Sequence, residues 1–240
     1  MTEPRAAAAI QTWARSIDAA YAQAAGKRPV IIVAGTLQRA GVYEPLAARL
    51  RANGHQVYIY ELPNLGRGDI AHSAIGLAAF ADRIRAETGA DKVDLVAHSQ
   101  GGLVARQYVK FNGGADHVHN LVGLGTPNRG TLTSLIPSAL GVGKDGAVAF
   151  DQMVPGSDFL RALNEGDDTI GDVRYTSIYT SQDLVVVPVA TAALNDGATN
   201  VRIQDQLPDN RVTHPGLPFD PAVQNGIEDA LRGEPIDLTR

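Results

Sequence analysis

Residues 30–33 read Val-Ile-Ile-Val, a wholly apolar, β-branched run that ends just before Gly35. Branched side chains favour extended backbone, and a strand that is apolar at every position needs cover on both faces. Such strands belong to parallel sheets with helices above and below. The following residues keep that rhythm. The spacing predicts a helix over 44–52 (Leu46 and Leu50 at i, i+4), a strand over 56–60, and a helix over 71–88 whose Leu77, Phe80 and Ile84 share a face. A strand over 92–97, a helix over 103–111 and a strand over 118–124 come next. Strands over 173–179 and 201–203 and a helix over 221–231, with Pro221 in its first turn, complete the pattern. Alternation of this kind builds βαβ units. The fold class is therefore α/β, an open, mostly parallel sheet with helices on both faces.

Two stretches stand outside the rhythm. Residues 2–23 carry an alanine-rich helical pattern with Trp13, Ile17 and Tyr21 on one face, which places an N-terminal helix within 1–28. Between 124 and 173 lie about fifty residues rich in Gly, Pro, Ser and Thr, far beyond the usual connection of about 4–6 residues. Leu132, Leu135, Ile136 and Leu140 offer an amphipathic patch inside it. The expectation is one domain over 1–240, with residues 126–171 inserted as a lid or cap over a site.

Composition removes several function classes. Lys and Arg number 21 and Asp and Glu 26, a net charge of −5, and no basic run gives the footprint that nucleic-acid binding requires. No apolar stretch approaches the roughly 20 residues of a membrane-spanning helix. Cysteine is absent, which removes disulfides, thiolate metal sites and a cysteine nucleophile together. The opening Met1-Thr2-Glu3-Pro4-Arg5-Ala6 lacks the basic region and apolar core of a signal peptide. Dinucleotide binding fails on glycine spacing, since Gly35 and Gly41 do not form G-x-G-x-x-G, and Gly141-Val142-Gly143-Lys144 lacks the Ser or Thr of a P-loop.

The most specific local signal is Val96-Ala97-His98-Ser99-Gln100-Gly101-Gly102, between a predicted strand and a predicted helix. In the nucleophile elbow, G-x-S-x-G, small residues let strand and helix backbones nearly touch while the serine is lifted above the sheet. Here Ala97 takes the first glycine's place. A serine hydroxyl needs a histidine to take its proton, and that histidine needs an orienting carboxylate. The order in this fold is Ser, acid, His. His55, His72 and His98 precede Ser99, and His98, its chain neighbour, is expected to diverge from the hydroxyl. His117 and His119 come too early to be separated from Ser99 by an acid-bearing strand, so His214 alone fits the base. Asp183, just beyond the strand over 173–179, fits the acid; Asp196, Asp205 and Asp209 also fall between Ser99 and His214. Backbone N–H groups of Gln100 and Thr36 are the expected oxyanion donors, with the Thr36 hydroxyl as an additional one.

These residues sit in a series of motifs: VIIVAGT (30–36), AHSQGGLVARQYVKFNGG (97–114), LVGLGTPNRGT (121–131), QMVPGSDFLRALN (152–164), VRYTSIYTSQDLVVVP (173–188) and THPGLPFDPAV (213–223). In that order the chain resembles α/β-hydrolases of the bacterial class 2 lipase group, which holds triacylglycerol lipases and related carboxylesterases. The resemblance covers about 29–231. It implies Ser99 as nucleophile, Asp183 as acid, His214 as base, and Thr36 and Gln100 at the oxyanion. The implied activity is carboxylic-ester hydrolysis without metal or organic cofactor. Leu37, Leu65, Val185, Val186 and Leu217 are the expected apolar rim, suited to short- or medium-chain acyl esters or glycerides and to transient contact with a lipid interface. The resemblance leans towards secretion and leaves the oligomeric state open. A non-catalytic relative that only binds ligands is the rival from another class; such proteins usually lack part of the triad, and here a full candidate set is present.

Overall fold

A computed structural model describes residues 28–135 and 147–240. The elements are β1 (Val30–Val33), α1 (Glu44–Ala52), β2 (Val57–Tyr60), α2 (Ile70–Thr88), β3 (Val93–His98), α3 (Gln100–Phe111) and β4 (Val118–Leu124). After the long connection, with α4 (Val148–Gln152) and α5 (Asp158–Leu163), come β5 (Arg174–Tyr179), β6 (Thr199–Arg202) and α6 (Pro221–Arg232). The six strands form one sheet in the order β2-β1-β3-β4-β5-β6, and every pairing is parallel.

Strand periodicity explains the two-sided core. Successive side chains point to opposite faces. Ile31, Val33, Leu95 and Ala97 meet Leu77, Ala81 and Ile84 of α2 and Leu103 and Tyr108 of α3. Val30, Ile32 and Val96 meet Leu46 and Leu50 of α1 and Val223 and Ile227 of α6 on the other face. Register aligns Ala97 with Val33 on one side and with Gly123 on the other, so the carboxyl ends of β1, β3 and β4 finish at one edge.

Most boundaries fall within a residue of the sequence reading, and two elements depart from it further. Helix α3 begins at Gln100, three residues before the predicted 103, because Gly101 and Gly102 add no apolar side chain to the periodicity. Strand β6 ends at Arg202, and Ile203 turns into the single helical turn Ile203–Gln206. The expected N-terminal helix over 2–23, with Trp13, Ile17 and Tyr21, lies outside the described residues, as do Ile136 and Leu140.

The described parts of the long connection are packed onto the sheet layer. Met153, Leu160 and Leu163 are buried in the same core as α2 and α3. Arg106 of α3, buried, donates to Asn164 Oδ1 at 2.9 Å and to Asp168 Oδ1 at 3.1 Å, and Arg129 also pairs with Asp168. A buried guanidinium is tolerable because it is paired in this way. Among the described residues, no helix is long and apolar enough to cross a membrane.

Candidate active site

Ser99 stands between the last residue of β3 and the first of α3, with φ 55° and ψ −129°. A non-glycine residue held there costs on the order of 1–3 kcal/mol, and it persists only where its surroundings dictate it. Its surroundings do so here. Ser99 N–H donates to the Leu124 carbonyl of β4 at 2.9 Å, and Gly102 N–H donates to the Ser99 carbonyl at 3.0 Å. A side chain on Gly101 would place its Cβ 2.6 Å from the carbonyl oxygens of Val33 and Ala34, and one on Gly102 would overlap Thr126. The start of α3 therefore rests directly on β1 and on the loop after β4.

The candidate acid and base come from the loops after β5 and β6. His214 Nδ1 lies 2.7 Å from Asp183 Oδ2, and both residues are buried. Asp183 Oδ1 accepts the N–H groups of Val185 at 2.8 Å and Val186 at 2.7 Å, so neither carboxylate oxygen is idle. With Nδ1 donating to the carboxylate, Nε2 keeps its lone pair. None of the other candidate acids touches His214: Asp196 accepts Asp168 N–H, Asp205 pairs with Arg202, and Asp209 is exposed. Ser99 and His214 line the same cavity, but no hydrogen bond joins the Ser99 hydroxyl to His214.

Thr36 lies in the loop after β1 and Gln100 opens α3. An N–H in the first turn of a helix has no intrahelical acceptor, which leaves that of Gln100 available. The Thr36 N–H has no acceptor among the described residues. Its hydroxyl, expected as a further donor to the site, is committed elsewhere: Thr36 Oγ1 donates to Gln100 Oε1 at 2.6 Å. The side chains of the two residues are thereby tied together. A second loop braces the first, with Leu37 N–H on the Leu65 carbonyl at 2.8 Å.

The cavity measures about 300 Å³. Leu37, Val185 and Val186 line it, together with Pro127, Phe150 and Met153 from the long connection. Leu65 and Leu217 do not. Leu65, half-buried, braces the Leu37 loop through its carbonyl, and Leu217 is fully buried in the core beside Val223 and Ile227. Two larger cavities, about 370 and 430 Å³, contain no serine.

The family model for the α/β hydrolase fold matches residues 28–146. The chain is 36% identical over 144 residues to a triacylglycerol lipase of Burkholderia plantarii, covering 53% of this chain and 38% of that protein. It is 35% identical over 122 residues to a triacylglycerol lipase of Pseudarthrobacter phenanthrenivorans, covering 45% and 35%. Aspergillus fumigatus lipase B superposes with a TM-score of 0.76 at 24% identity, over 90% of this chain and 55% of that one. The chain has the α/β-hydrolase fold. It spans less than two fifths of the length of the two bacterial lipases. The region matched by the family model takes in the elbow and Thr36, whereas Asp183 and His214 of this α/β-hydrolase lie beyond it.

Two residues at the candidate site escaped the sequence reading. Tyr43 shows only as a core aromatic near the start of α1. His98 does diverge from the serine, as its adjacency implied, but towards the candidate base. Its ring centroid lies 4.9 Å from that of His214, and its Nε2 is 3.1 Å from the His214 carbonyl oxygen. No signal in a single sequence pairs residues so far apart.

Proposed function

We propose that this α/β-hydrolase cleaves carboxylic esters through an acyl-enzyme on Ser99. The observation that carries the reading is the Asp183–His214 pair opening onto the cavity that holds the strained serine. His214 Nε2 takes the hydroxyl proton as Ser99 Oγ attacks the ester carbonyl, and the oxyanion forms beside the N–H groups of Thr36 and Gln100. His214 then passes the proton to the leaving alcohol, and water repeats both steps to free the acid. Asp183 holds the imidazole tautomer throughout. Contacts between serine and base commonly tighten only when substrate is bound, which accommodates the missing Ser99–His214 hydrogen bond.

Short- or medium-chain acyl esters or glycerides are the proposed substrates. A cavity of about 300 Å³ is at the small end for ligand sites. In the one-domain reading, residues 126–171 act as the cover of the site; Pro127, Phe150 and Met153 already form part of its wall. Exposed Leu37 and Val185 at the cavity fit a brief contact with a lipid surface.

A p-nitrophenyl ester series with wild type and Ser99→Ala tests the reading. The expected result is faster turnover of short and medium acyl chains than of long ones, and a loss of about 10⁶-fold in kcat for the variant. Equal rates for the two proteins would end the serine mechanism.

A further inference from the structure

One buried run of hydrogen bonds beside the site has no task in the reaction above. It begins in the loop that carries Thr36. Gly35 N–H donates to the Tyr43 hydroxyl oxygen at 2.8 Å, and that oxygen lies 2.8 Å from His98 Nδ1. His98 Nε2 in turn lies 3.1 Å from the carbonyl oxygen of His214.

The partners decide where each proton sits. A carbonyl only accepts, so His98 Nε2 carries a hydrogen. A neutral imidazole has one N–H, which makes Nδ1 the acceptor and Tyr43 the donor. The Tyr43 oxygen then still accepts from Gly35. The direction is unbroken from the oxyanion loop to the base. All of it is out of water, with Tyr43 at 0% exposure, His98 at 2% and His214 at 6%. Burial, with His214 alongside, holds His98 down to about 3, so it remains neutral when a proton arrives on its neighbour.

We propose that Tyr43 and His98 are positioning residues for the ester hydrolysis, together setting the backbone that presents the Thr36 N–H and the backbone that presents the His214 imidazole. The inference rests on the serine-hydrolase reading. Gly35 immediately precedes Thr36, and the carbonyl held by His98 belongs to the base itself. A tilt of the one imidazole ring therefore moves both partners of the nucleophile. Misplacement of reacting groups by about 1 Å costs on the order of 10²-fold in rate. Tyr43→Phe keeps the aromatic packing but leaves both Gly35 N–H and His98 Nδ1 without their partner.

The test combines ¹⁵N NMR of the imidazoles with kinetics on p-nitrophenyl butyrate, counting sites by phosphonate labelling of Ser99. Wild type is expected to show His98 as the Nε2–H tautomer from pH 5 to 9. Tyr43→Phe is expected to lose about 10–100-fold in kcat per labelled site while KM moves by less than about twofold. His98→Leu is expected to lose as much, and His98→Gln, which keeps an amide donor near Nε2, to recover part of it. Assays run below each variant's own melting transition, so poor folding lowers the labelled fraction and not the rate per site. An Nδ1–H tautomer in wild type, or wild-type kcat per site in Tyr43→Phe, overturns the positioning role and leaves the hydrolase reading standing. A wild-type protein that neither hydrolyses the ester nor takes the label brings down both.

Discussion

Ser99 is held by a turn between one strand and one helix, whereas Asp183 and His214 lie 31 residues apart and meet only across two loops. The elbow is a packing device: no side chain fits at Gly101 or Gly102, and the backbone of Ser99 is forced to positive φ. The acid–base side is a hydrogen-bonding device. Asp183 is gripped by its own loop, and that loop is clipped to the long connection through Thr131, whose hydroxyl donates to the Val185 carbonyl at 2.7 Å and accepts Val187 N–H at 3.0 Å. Thr133 adds a second hydroxyl to the Val185 carbonyl at 2.6 Å. One half of the site thus depends on shape and the other on polar partners, and the two should break differently.

Among the residues that support Ser99, the largest effect should come from the polar half. Asp183→Asn keeps the volume but lets the amide favour the wrong imidazole tautomer; kcat is expected to fall about 10⁴-fold with the fold intact. Steady-state kinetics beside a circular-dichroism melt check this, and a kcat within tenfold of wild type would remove Asp183 from the role. Next comes the packing half. Gly101→Ala drives a methyl group against two strand carbonyls, and a loss of about 3 kcal/mol in urea-unfolding stability is expected, at the upper end for an overpacked core. An unchanged midpoint would show that α3 is free to slide off β1. The smallest effect belongs to the clip. Thr131→Val strands the Val187 N–H while Val185 keeps its bond from Thr133, so about 1 kcal/mol is expected, with a kcat loss well short of that of Asp183→Asn. A kcat loss as deep as that of Asp183→Asn would mean that the long connection, and not the loop after β5, holds the acid in place.

Much of the packing half was legible in the chain. A strand buried on both faces favours apolar side chains throughout, as β1 has, and β1 through β5 fall within a residue of the predicted runs. The elbow was readable because its steric demand, small residues on either side of a serine, acts on neighbours in sequence. The start of α3 was less so, since glycines required by packing erase the periodicity that marks a helix. For the acid, spacing left four aspartates open, and the folded chain brings only Asp183 to His214. The apolar rim was legible in part: Leu37, Val185 and Val186 line the cavity, whereas Leu65 does not and Leu217, equally apolar, turned into the core. A hydrophobic side chain is equally at home in either place, so composition cannot choose between them.

By itself the sequence determined the α/β class, the strand–turn–helix that lifts Ser99, and the order in which the candidate serine, acid and histidine follow one another. Each of these rests on local sterics or on the period of buried side chains, which neighbouring residues encode. Only the tertiary structure decided which aspartate meets His214, that the Thr36 hydroxyl is spent on Gln100, and that Tyr43 and His98 link Gly35 to the His214 carbonyl. Apart from the Gly35–Tyr43 contact, eight positions apart, those are hydrogen bonds between groups 31 to 116 positions apart. Their partners become neighbours only after the sheet has set its register and brought the loops to one edge.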